Sequence, residues 1–126
     1  MPTPETLERF ISLVEANAHA EAVEAFYAPE AAVRENQSEP RVGRGAAMAR
    51  EHAIHAKARS MTSRCVRPAL VHGDHVAIRW VFDFEWLDGS TTHMEEVAWQ
   101  HWEGERLLAE TFFYDPAQRT PHRAER

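Results

Sequence analysis

The stretch that decides the fold is residues 75–102, HVAIRWVFDFEWLDGSTTHMEEVAWQHW. Apolar side chains alternate with polar ones through its first dozen positions, the period of a β-strand with two unlike faces. Asp88-Gly89 in the middle is a hairpin signal, because glycine enters left-handed backbone without steric cost. The spacing predicts a strand over 75–87, a two-residue turn, and a return strand over 90–102. That turn sets Arg79 opposite Ala98, Val81 opposite Glu96 and Asp83 opposite Met94. One face then carries Ile78, Trp80, Phe82, Phe84 and Trp86 with Val97 and Trp99. The other carries Arg79, Val81, Asp83 and Glu85 with Met94, Glu96, Ala98, Gln100 and Trp102. Two assignments fit. Either the apolar face is the core and the charges face solvent, or the mixed face lines an interior and a second subunit covers the apolar one. An apolar patch of that size is a liability when left wet.

Outward from the hairpin, β-type patterning continues on both sides. A strand over 62–71 carries Pro68, which suits an edge or a bulge, and a last strand runs over 106–114. Upstream the period changes to that of helices. Thr3-Pro4-Glu5 is a helix start, with a hydroxyl cap, proline in the first turn and then an acid. Leu7, Phe10, Ile11 and Val14 follow on one face. After a break at 15–18, a second helix puts Ala22, Val23, Phe26 and Tyr27 on one side and stops at Pro29. A short strand over 31–35, a polar loop over 36–45 and a third helix over 46–59 complete the order. Helices segregated from an antiparallel meander define an α+β domain. The polar end, AQRTPHRAER, reads as a frayed tail over 117–126 after a domain at 1–116.

Composition bounds the function. The chain has 126 residues, 44% hydrophobic and 27% charged, with a net charge of −6. That supports one core. It disfavours nucleic acid and an anionic membrane surface, which repel an acidic protein. No apolar run approaches the roughly 20 residues that span a bilayer, and MPTPETLERF lacks the features of a signal peptide. The lone Cys65 forms no internal disulfide, so the expected setting is cytoplasmic.

The element order, with FYAPEAAVREN, PRVGRGAAM, DHVAIRWVF and GERLLAETFFYDP, resembles the nuclear-transport-factor-2-like superfamily. It resembles above all the SnoaL-like small-molecule proteins and, more distantly, ketosteroid isomerase. The resemblance spans residues 5–116. It implies a cone-shaped, cystatin-like sheet with three N-terminal helices, a pocket between them for a small, mostly apolar ligand, and a homodimer through the sheet's outer face. It favours the second facing of the hairpin. It does not fix the reaction, since one fold hosts many activities. Cofactor-free acid–base chemistry of the isomerase, dehydratase or cyclase type is one expectation. A non-catalytic binding or dimerisation module is the other.

Matched residue by residue, the isomerase's proton-transfer carboxylate falls on Glu35, with Asn36 beside it as a donor to a ligand carbonyl. A carboxylate in an apolar pocket is harder to ionise and moves protons near neutral pH. The isomerase's two oxyanion donors fall on Phe10 and Ala98, which donate nothing, so steroid isomerisation by that mechanism is rejected. Glu96 and Glu110, on adjacent strands, point inward on the family-guided facing, near Arg79 and Gln100. That group is either a ligand site or a buried ion network. Trp102, Phe112 and Tyr114 are candidate apolar walls, or ordinary core, and Tyr27 is a further ligand-binding candidate. Glu51 matches a pocket tyrosine, and His52 is a candidate pocket base. His52 and His55 share a helix face without a third ligand in the motif, so no metal is expected.

Overall fold

The structure is a computed structural model and describes residues 1–123. Helix α1 spans Pro4–Glu15. Its Thr3 cap accepts a hydrogen bond from the Thr6 N–H at 3.1 Å, and Leu7, Phe10, Ile11 and Val14 are its buried stripe. Helix α2, His19–Phe26, ends before Tyr27, which already belongs to strand β1, Tyr27–Glu35. Pro29 thus lies inside the strand, not at a helix stop, and sits exposed where the register shifts between Tyr27 and Ala32. A proline N–H missing at a bulge costs the ladder nothing. The loop expected over 36–45 contains a two-residue strand β2, Arg41–Val42, and α3 follows at Arg44–Lys57. The meander is β3 Ala58–His72, β4 His75–Trp86, β5 Thr91–Glu103 and β6 Arg106–Phe113.

These strands form one sheet in the order β2-β1-β6-β5-β4-β3, with β1 parallel to β6 and the other pairs antiparallel. Pro68 lies on the edge strand β3, within a register shift between Val66 and Leu70, as the sequence predicts. The three helices cover one face. Their buried stripes meet Val76, Ile78, Trp80, Ala98, Trp102 and Leu107 from the sheet. No helix is long and apolar enough to cross a membrane.

The hairpin register differs from the expected one by a single residue. Trp80 faces Glu96, Phe82 faces Met94 and Arg79 faces Val97. The loop holds three residues, Leu87-Asp88-Gly89, because the Trp86 N–H donates to the Ser90 carbonyl at 2.8 Å. Gly89 takes φ +86° and donates to the Trp86 carbonyl at 3.0 Å, the left-handed position that a three-residue hairpin requires. One residue of slip flips every side chain of one strand relative to its partner. The inner face therefore joins Ile78, Trp80, Phe82, Phe84 and Trp86 to Met94, Glu96, Ala98, Gln100 and Trp102. Arg79, Asp83, Val97 and Trp99 face outward. Each of the two expected facings was right for one strand only.

The tail expected to fray is tied down over its described part; residues 124–126 lie outside it. Strand β6 pairs β5 only from Val97 onward, which leaves the start of β5 without a partner there. The segment after Asp115 fills that edge. A 3₁₀ turn at Pro116–Arg119 brings Gln118 Oε1 to accept from the Glu95 N–H at 2.7 Å. His122 then exchanges two backbone hydrogen bonds with Thr91, at 2.7 and 2.9 Å. Unpaired backbone groups at a sheet edge are thereby satisfied.

Candidate functional site

The helices and the inner sheet face enclose a cavity of about 170 Å³. Its apolar wall includes Val14, Trp80, Phe82, Phe84, Met94 and Phe112. A wider cleft of about 580 Å³ adjoins it, sharing Arg50, Ile54, Trp86 and Arg119 in its lining.

Along the sheet side runs a buried relay. Gln100 and Glu110 are register partners on β5 and β6, so their side chains meet on the inner face. Trp102 Nε1 donates to Gln100 Oε1 at 2.9 Å, and Gln100 Nε2 donates to Glu110 Oε2 at 2.7 Å. The Tyr27 hydroxyl donates to the other Glu110 oxygen. Burial drives the Glu110 carboxyl up to about 7 against the opposing pull of those two donors. Burial, followed by the Glu110 charge, pushes the Tyr27 phenol well above its ordinary value.

Glu96 projects from β5 into the same cavity and makes no hydrogen bond or ion pair among the described residues. Burial first, then the charges of Glu110 and Glu35, lift its carboxyl to about 8, with Arg119 opposing. An acid with that value matches proton transfer near neutral pH.

Glu35 ends β1 and lines the cavity, but its oxygens are occupied. Arg41 donates to Oε2 at 2.8 Å, while Arg50 and Arg119 donate to Oε1 at 3.1 and 3.0 Å. Arg119 also donates to the Tyr114 hydroxyl at 2.6 Å and lies over its ring. Arg41 Nε is buried with no partner among the described residues. Three guanidiniums around one carboxylate leave this end of the cavity positive.

Of the expected site residues, Glu96, Glu110 and Gln100 share the inner face, where Gln100 bonds Glu110, and Glu35, Glu51, Tyr27 and Phe112 line the cavity with Glu96 and Glu110. Arg79 does not join them. It is exposed on the outer face and pairs with Glu95 at 3.4 Å, because the register slip turns it away. Asn36 is a structural residue. It takes φ +49° and its Oδ1 accepts from the Tyr114 N–H at 3.0 Å, which closes the end of β1 onto β6. Trp102 is fully buried behind the cavity against Phe10 and Phe26. Tyr114 flanks the Arg119 side, outside the cavity lining, and His52 is exposed on the outer side of α3.

Sequence reasoning missed Arg41, Arg50 and Arg119, which come from three separate segments and carry no periodic signal. It also missed His19, at the start of α2. His19 Nδ1 lies 3.4 Å from Glu51 Oε2, and its ring packs edge-on against that of His55 at 4.9 Å. Burial and the neighbouring His19 lower the His55 imidazolium below its ordinary value.

This arrangement has the fold of nuclear-transport-factor-2-like proteins, the group that includes SnoaL-like and ketosteroid isomerase-like structures. A candidate SnoaL-like polyketide cyclase from Mesorhizobium loti superposes with a TM-score of 0.73 at 22% identity, covering 87% of this chain and 97% of that one. A protein of ketosteroid isomerase-like fold from Catenulispora acidiphila, in complex with trimethylamine, gives 0.75 at 16%, covering 92% and 89%. An NTF2-like protein of unknown function from Burkholderia pseudomallei gives 0.75 at 12%, covering 90% of each chain. No protein-family model matches the chain, and no curated protein does.

Proposed function

We propose that the chain binds a small, mostly apolar ketone in this cavity and moves a proton on it with Glu96. The observation that carries the reading is Glu96 itself: a carboxyl set against apolar walls, free of hydrogen-bond partners among the described residues. A cavity of about 170 Å³ suits a ligand portion of one-ring size. In the step, the α C–H bond breaks and its proton goes to a Glu96 oxygen. The electron pair forms an enolate, whose charge rests on oxygen against the guanidiniums of Arg41, Arg50 and Arg119. Return of the proton to the same or a conjugated carbon completes exchange or isomerisation. Glu110, with both oxygens occupied, orients the wall and keeps Glu96 hard to ionise.

Deuterium incorporation at the α-carbon of phenylacetone in D₂O, followed by NMR, tests this. The wild-type rate should rise with pH through about 8, as Glu96 ionises. Glu96→Gln should lose on the order of 10²–10⁴-fold, the usual worth of a positioned proton-transfer group. An unchanged rate in that variant sinks the assignment. Binding of phenylacetone without exchange points instead to a non-catalytic binding module, which the full occupancy of the Glu35 oxygens favours.

The homodimer remains a proposal through the outer sheet face, which keeps Val97 and Trp99 of the expected apolar face while Ile78, Trp80 and Phe82 are buried inside. Val97 and Phe113 are direct β5–β6 partners, each 39% exposed, and Trp99 beside them is 48% exposed. These flank His75, which stacks on Trp99. The proposed setting is the cytoplasm, where the buried Cys65 stays a thiol.

A further inference from the structure

His19, Glu51 and His55 lie apart from the relay, and the hydrogen bonds around them determine where their protons sit. Asn17 Nδ2 donates to the Met61 carbonyl at 3.0 Å, which fixes the amide and turns Oδ1 toward Ser63. The Ser63 hydroxyl donates to that Oδ1 at 2.7 Å. With its single proton committed, Ser63 Oγ accepts from His19 Nε2 at 2.9 Å. Neutral His19 therefore carries its proton on Nε2 and presents the Nδ1 lone pair to Glu51 Oε2, 3.4 Å away. His55 Nε2 is buried with no hydrogen-bond partner among the described residues. Glu51 and His55 stand four apart on α3, so they share one helix face, and α2 delivers His19 opposite them. Donor atoms of all three lie within 4.8 Å of one another. Two imidazoles and a carboxylate thus converge.

We propose that His19 Nδ1, Glu51 and His55 Nε2 bind a divalent first-row transition metal of the zinc type, with a further coordination position open toward the cavity. Two ligands each about 2.1 Å from a tetrahedral ion stand roughly 3.4 Å apart, the spacing already present between His19 and Glu51. His55 Nε2, buried and without a hydrogen-bond partner among the described residues, would supply the third ligand. The mixed imidazole and carboxylate set selects zinc-like ions over calcium or magnesium, which take oxygen ligands. Ser63 and Asn17 hold the ligating tautomer, as outer partners of metal-bound histidines do. His19 and Glu51 both line the cavity, so a bound ion would face any ligand held there. The sequence reading paired His52 with His55, but the exposed His52 points elsewhere. This assignment is independent of the proton-transfer reading.

The test uses the full, untagged chain dialysed against chelator, then titrated with Zn²⁺ in competition with a chromophoric chelator and with Co²⁺ by visible absorption. One retained equivalent is expected, with cobalt bands of a low-coordinate site. Glu51→Gln, which preserves shape at a partly exposed position, should weaken binding by more than the 10–100-fold that outer-partner losses typically cost. Ser63→Ala should weaken it within that range by freeing the His19 tautomer. His75→Ala with His101→Ala, which removes the stacked surface pair, should change nothing. Circular dichroism confirms that each variant is folded, and His55→Gln replaces Glu51→Gln should the latter not fold. No retained zinc, uptake unaltered by Glu51→Gln, or uptake lost with the surface pair overturns the site.

Discussion

Urea unfolding should show stability falling as pH rises from 6 to 9, by roughly 3–5 kcal/mol after allowance for coupling and relaxation around the buried acids. Glu96 and Glu110 sit at about 8 and about 7 in the folded chain, above the carboxyl value of about 4.3 in the unfolded one. The folded state therefore holds two protons that the unfolded state has already released. Their contribution is fully present below the unfolded value and is lost as pH rises through 7 and then 8. The groups facing the pair are Tyr27, Glu35, Glu51 and Arg119; of these, Glu35 and Glu51 raise both values. Glu96→Gln keeps the shape and removes the charge, so it should flatten the slope. At pH 9 it should stabilise the chain by about 2–3 kcal/mol, a fraction of the full shift. A flat profile between pH 6 and 9, or a destabilised Glu96→Gln at pH 9, would mean that water reaches these acids freely.

The two tryptophans flanking the hairpin should respond in opposite ways to one substitution. Trp80 is 2% exposed and packs on Phe82 with ring centroids 5.6 Å apart. Trp80→Glu removes a large core side chain, which alone costs about 3–5 kcal/mol, and adds a carboxylate with no partner. The sum reaches the whole stability of an ordinary domain, about 5–15 kcal/mol, so no folded protein is expected. Trp99→Glu acts on the outer face. It should leave near-UV circular dichroism intact and convert a sedimenting dimer into a monomer. A folded, soluble Trp80→Glu monomer would restore the family-guided facing, in which Trp80 faced outward; an undiminished dimer in Trp99→Glu would move the interface elsewhere.

That contrast also shows why the hairpin was half legible. The Asp88-Gly89 signal located the turn correctly, yet an Asp-Gly pair serves loops of two or three residues. Leu87 is apolar and reads as strand, but it lies in the loop, 59% exposed. The choice of loop length rests on the Trp86–Ser90 backbone bond, which no side-chain pattern announces. The helices were clearer, since Thr3, Pro4 and the stripe from Leu7 to Val14 state their own geometry. At the site, the carboxylates Glu35, Glu96 and Glu110 were found because the family resemblance assigns them to inward strand positions. The three arginines were not, because long side chains reach one point from a two-residue strand, a helix and a 3₁₀ turn. His19 was missed for a related reason: its partners Glu51 and Ser63 are remote in sequence and adjacent only after α2 packs beneath α3 and β3.

The last described turn has a consequence for how such a cavity can be altered. Arg119 bridges Glu35 and Tyr114 from a segment that a reading by composition would trim away at residue 116. A shortened chain would retain every residue of the six strands and lose one of the three cations at the entrance. The charge presented to an arriving molecule is thus set partly by an appendage anchored through Gln118, His122 and the Arg123–Asp88 ion pair. Two chains with identical sheets and helices but different final turns would therefore admit differently charged molecules into the same interior.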